Sequence, residues 1–117
     1  MKKRHNFREL QIWKDSMILV KKVYNLTSKL PNEERFGLIS QLNRCSISIP
    51  SNIAEGSGRT TEKEFSRFLE ISMSSSYELE TQLILMYELF EIETNEIIEE
   101  LKTIQNKIGA FKRTLEF

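Results

Sequence analysis

From Phe65 to Phe90, the residues Phe65, Leu69, Ser72, Ser76, Leu79, Leu83, Met86 and Phe90 recur at alternating steps of four and three. An α-helix brings such positions onto one side, whereas a strand would need alternation by two. The run predicts a helix over about 61–90 that must bury one long stripe against other helices. Thr61-Glu62-Lys63-Glu64 opens it as a capping box. Ser72 and Ser76, at the centre of the stripe, allow a neighbouring helix to approach closely.

Three further segments carry the same period. The cleanest seam is Ile97, Leu101, Ile104, Ile108, Phe111 and Leu115, predicting a helix over about 94–115 with Thr94 as its N-cap. Leu38, Leu42, Cys45 and Ile49 predict another over about 33–55, with Asn32 as cap after the Leu30-Pro31 turn. Pro50 removes an N–H and crowds the Ser46 carbonyl, so this helix is expected to kink there, with Ser46 and Ser48 satisfying the backbone. Gly56 and Gly58 end it.

The first helix, over about 8–29, has two apolar rows. Leu10, Trp13, Met17, Val20 and Tyr24 have the spacing of a core seam. Ile12, Leu19, Val23, Leu26 and Leu30 lie about 115° round the helix. The second row exceeds what one core needs, so Ile12, Leu19, Val23 and Leu26 are expected to face another copy of the chain. Only 4 Gly and 2 Pro in 117 residues suit long helices with short connections. The fold class is therefore all-α, one domain over residues 1–117, an antiparallel up-down-up-down four-helix bundle with the second helix kinked at Pro50.

The net charge is zero, but residues 1–30 hold eight Lys or Arg against two acids, and residues 61–90 hold two against six. Lys2, Lys3, Arg4, Arg8, Lys14, Lys21, Lys22 and Lys29 are candidate nucleic-acid contacts, which a ring of copies would multiply. The acidic third and fourth helices suit a basic protein partner instead. No run reaches the roughly 20 apolar residues of a membrane span, and the basic start is followed by no apolar signal segment, so the cytoplasm is expected.

Chemistry is hard to seat in this chain. A bundle-core di-metal site needs Glu-x-x-His pairs on two helices, and the one histidine, His5, precedes the bundle. The same lack leaves a serine or Cys45 without a base inside the fold. No cofactor, metal or catalytic residue is expected. Gly56-Ser57-Gly58-Arg59 before a helix start could hold an anion but reads first as a plain turn. Gln41, Arg44, Ser48, Asn52 and Glu55 form a polar row on the second helix, and Ser75, Glu78 and Gln82 form one on the third. These rows are expected to meet, with Arg44 pairing to Glu78 or Glu80.

The stretch from Gln41 to Arg59, containing Ser48-Ile49-Pro50-Ser51-Asn52-Ile53-Ala54-Glu55-Gly56, resembles the bacterial four-helix bundle protein family, also called the 23S rRNA intervening sequence protein family. Phe65, Phe68-Leu69-Glu70-Ile71, Glu78-Leu79-Glu80-Thr81-Gln82-Leu83 and Leu10-Gln11-Ile12-Trp13 extend the likeness over nearly the whole chain. Asn43 stands where the family usually has the first of two arginines, and Ser74-Ser75 where it has Gly-Ser. The resemblance implies a homopentameric bundle of largely uncharacterised role. It implies a polar network or interface at Gln41, Arg44, Ser51, Asn52, Glu55, Gly56, Arg59, Glu78 and Glu80. The family is also similar to the accessory variability determinant of diversity-generating retroelements, a basic pentamer that binds nucleic acid and a reverse transcriptase. That likeness implies RNA, DNA or a nucleic-acid-processing protein as partner.

Overall fold

The long stripe folds as expected. In the computed structural model, which describes residues 5–117, the longest helix runs Glu62–Phe90. Thr61 caps it, its hydroxyl accepting the Glu64 N–H at 3.1 Å. Numbered in chain order, the helices are α1 (Gln11–Thr27), α2 (Leu38–Ser57), α3 (Glu62–Phe90) and α4 (Asn95–Lys112). Helix α1 packs on α2 and α4, and α3 packs on the same two. Chain order thus runs round the bundle, each helix antiparallel to the next. The result is a rod 52 Å long and 19–23 Å across.

The helix starts differ from expectation for local reasons. Residues Phe7–Glu9 make a separate 3-10 turn, and extended Leu10 divides it from α1. Asn32 does not cap α2, because Asn32–Glu34 forms its own 3-10 turn after Pro31. Helix α2 begins after Gly37, and the Glu34 carboxylate accepts the Leu38 N–H at 3.2 Å. An acid there suits the positive end of a helix. Thr94 does not cap with its side chain, since its buried hydroxyl donates to the Leu83 carbonyl at 3.0 Å. The Glu93 carboxylate takes the Asn95 N–H instead.

Helix α2 continues through Pro50 to Ser57. The Ser46 hydroxyl donates to the Asn43 carbonyl at 2.9 Å, within α2. Ser72 reaches across from α3 and donates to the Ile49 carbonyl at 2.9 Å. Gly56 sets the spacing at the far end of this pair. A Cβ there would stand 2.7 Å from Phe68 Cβ and 2.8 Å from Phe65 Cδ1. The small residues of this seam let α2 and α3 approach closely.

The two rows of α1 exchange roles relative to expectation. Ile12, Leu19 and Val23 are buried in the chain's own core, and Leu26 packs against it, so the expected oligomer face is internal. Ser16, fully buried, supplies the missing member of that row. With it, Ile12, Ser16, Leu19, Val23, Leu26 and Leu30 step by four and three without a gap. Its hydroxyl donates to the Ile12 carbonyl at 2.6 Å, which removes the cost of burying it. Met17 and Tyr24, of the other row, are 38% and 45% exposed.

Candidate interaction surface

Two surfaces collect the residues singled out by the sequence. The first is the seam between α2 and α3. Here the Ser48 and Ser75 hydroxyls share a hydrogen bond of 2.8 Å, and Asn52 donates to Ser48 Oγ at 2.9 Å. One turn away, Gln82 Nε2 donates to Cys45 Sγ at 3.4 Å, and the thiol points to Glu78 Oε2 at 3.9 Å. Burial pushes the Cys45 thiol up from its ordinary pKa; the Gln82 donor opposes this and the Glu78 carboxylate adds to it. A thiol held neutral in this way is a poor nucleophile. Gln82 Oε1 is buried without a hydrogen-bond partner among the described residues.

The polar rows therefore meet, but through their serines and amides. Arg44 and Glu78 are both exposed, and no ion pair joins Arg44 to Glu78 or Glu80 among the described residues. At ~100° per residue, Arg44 sits toward the solvent edge of α2 and not between the helices. Glu80 instead accepts a hydrogen bond of 3.0 Å from Gln105 on α4. Gln41 and Ser51 face solvent. Glu55 binds Arg59 at 2.9 Å, and the Arg59 guanidinium lies 4.6 Å from the Phe68 ring centroid. Gly56 and Ser57 are the last residues of α2, and Gly58 and the engaged Arg59 begin the turn to α3.

The second surface is the outer side of α1. Trp13 and Val20 are half-buried, and Met17 and Tyr24 more open. Thr27 hydrogen-bonds Asn43 across the seam with α2 at 3.2 Å. In an antiparallel pair, Ile47 then lies level with Val20 and Tyr24, and it is 42% exposed. An apolar strip thus runs along the α1–α2 face. Sequence reasoning missed its role because it placed Met17 and Tyr24 in the core. Ser16 and Thr27, both buried, were the signal that could have found it.

The basic residues of α1 divide. Lys22 pairs with Glu100 of α4, and Lys107 of α4 pairs with Asp15 of α1 at 2.9 Å. Burial would raise the Asp15 carboxyl, but hydrogen bonds from Lys107 and Gln11 and the Lys107 charge outweigh it and hold the pKa below its usual value. Lys29 lines a groove that also holds Glu93, Glu96 and Glu100. The Arg8 guanidinium sits 4.8 Å from the Phe7 ring centroid. Lys14 and Lys21 are exposed and make no ion pair among the described residues. Lys2, Lys3 and Arg4 lie outside the described residues.

His5 is held at the end of the bundle, 5.0 Å from the Phe65 ring and 5.7 Å from that of Phe111, with Glu62 at 3.7 Å. No group of three or more His, Cys, Asp or Glu among the described residues is placed to hold a metal. Among the described residues no helix is long and apolar enough to cross a membrane.

Comparison with known proteins agrees with this architecture. A crystal structure of a protein of unknown function from the S23 ribosomal protein family of Bacteroides thetaiotaomicron superposes with a TM-score of 0.80 at 23% identity, over 87% of this chain and 98% of that one. That likeness speaks to the fold. No curated protein matches. The model of the family described as 23S rRNA-intervening sequence protein matches residues 8–111, and the chain belongs to that family.

Proposed function

We propose that the chain is a non-enzymatic scaffold or adaptor that works as a cytoplasmic homo-oligomer, its copies meeting through the α1–α2 face. The observation that carries this reading is the strip of Trp13, Met17, Val20, Tyr24 and Ile47, which the core leaves partly open. A contiguous apolar strip of this kind is a usual mark of a protein contact. Family resemblance supplies five as the copy number. His5, the one histidine, is packed against two phenylalanines at the end of the bundle, far in sequence from Cys45, which supports the non-enzymatic reading. Replacing Met17 and Tyr24 by Glu should dissociate the assembly while leaving the helical content unchanged. An unaltered mass would reject this face as the contact.

A second reading, nucleic-acid binding, draws on the likeness to the accessory variability determinant and on one observation. Lys14 and Lys21 stand open, two turns apart, on the helix that carries the strip. A ring would repeat that pair in every copy. Lys22 and Lys29 face glutamates of α4 and contribute less. Titration with single-stranded RNA at several salt concentrations tests it. Phosphate binding must weaken as salt rises, and removing Lys14 and Lys21 must reduce the slope.

A further inference from the structure

The outer side of α3 near its C-terminus is used by neither reading. From Tyr77 to Glu100 the chain carries eight glutamates and no Lys or Arg. Beside it a groove of about 530 Å3 runs between α3 and α4, lined by Tyr77, Glu80, Thr81 and Ile84 of α3 and by Lys102, Gln105 and Asn106 of α4. Tyr77 and Ile84 are 57% and 46% exposed, and Tyr87, further along α3, is 49% exposed. Seven residues separate Tyr77 from Ile84, so both lie on one stripe, and Glu88 continues it.

The charges around this stripe are unspent. Glu88 and Glu91, beyond Ile84 toward the end of α3, are exposed and make no ion pair among the described residues. The one cation lining the groove, Lys102, is drawn to Glu99 at 3.8 Å. The exposed Tyr77, Ile84 and Tyr87, with the unpaired carboxylates of Glu88 and Glu91 beside them, make a surface that repels nucleic acid and membrane phosphates. It complements a helix with one apolar side and Lys or Arg on its flanks.

We propose that the outer side of α3, from the α3–α4 groove to the end of the helix, docks a basic amphipathic helix of a partner protein, its apolar side on Tyr77, Ile84 and Tyr87 and its cations against Glu88 and Glu91. This goes beyond self-assembly and uses the opposite side of the bundle from the α1–α2 strip. Lys102, level with Ile84 by the Glu80–Gln105 hydrogen bond, is the one cation lining the groove, and the partner's cations lie beyond it.

The test uses a fluorescent 18-residue peptide with leucines on one helical side and lysines elsewhere, added to the full chain. A peptide of the same composition, with its leucines spread round the helix, is the control. The first peptide is expected to bind and the second to bind at least tenfold more weakly. Tyr77→Ser with Ile84→Ser removes two apolar anchors and should weaken binding by at least about tenfold. Leu85→Ser with Leu89→Ser, at least 80° round α3 from Tyr77 at ~100° per residue, should not. Glu88→Gln with Glu91→Gln should flatten the salt dependence. The Met17→Glu, Tyr24→Glu variant should bind as the parent does, which separates this proposal from the assembly reading. Equal binding of both peptides, or no effect of the Tyr77 and Ile84 changes, overturns the proposal. So does a change in oligomer mass caused by those two substitutions, which would assign the groove to a second copy.

Discussion

Gly56 is the residue on which the α2–α3 contact turns. Its hydrogen faces Phe65 and Phe68 at distances that no Cβ tolerates. Gly56→Ala must therefore push the two helices apart, since Phe65 is buried in the core and the atom met on Phe68 is its Cβ, which moves only with the backbone. The expected loss is about 1–3 kcal/mol, the usual cost of overpacking, read as a lower urea midpoint at unchanged slope. Gly58→Ala is the control, because a Cβ there meets only the Glu55 carbonyl at 3.7 Å. The Gly-rich motif was legible in sequence as a turn. That Gly56 belongs inside the helix, as a packing residue, was not, because a glycine shows no pattern of its own until its neighbours are placed.

At the scale of elements, the end of α3 and the join between α1 and α4 make separate predictions. Glu91, the C-cap of α3, has φ 56°, the left-handed region that costs a side-chain-bearing residue about 1 kcal/mol. Glu91→Gly should recover about that amount in thermal unfolding. The Asp15–Lys107 pair ties α1 to α4. Because the folded Asp15 pKa is lowered, its contribution is present above the ordinary carboxylate range and is lost as pH falls through the folded value. Asp15→Asn should therefore lower stability near neutrality and flatten its fall on the acid side, measured by urea unfolding across pH.

The four helices and most seams were readable, since a step of four and three specifies a side. The choice between the two rows of α1 was not. Both are apolar, and the row that enters the core is interrupted by Ser16, which a hydrophobicity reading skips. A small hydroxyl that bonds its own backbone is as buriable as an alanine, and that chemistry decides the orientation of the helix. The Arg44 pairing failed for a related reason. Polar rows flank every seam on both sides, and periodicity does not say which flank is shared.

The whole molecule keeps its core for itself and leaves α1 with an open apolar strip beside α2. Its charge is balanced overall but divided, basic in the first quarter and acidic over the end of α3 and the start of α4. On the proposed reading the strip serves copies, and the acidic outer side of α3 serves a different protein. The division of labour depends on assembly, so the most direct measurement is the mass of the unaltered chain in dilute solution by sedimentation velocity. A single sharp species at a fixed multiple of 13.8 kDa, five by resemblance, is the predicted result. A stable species at 13.8 kDa that persists as concentration rises would contradict it.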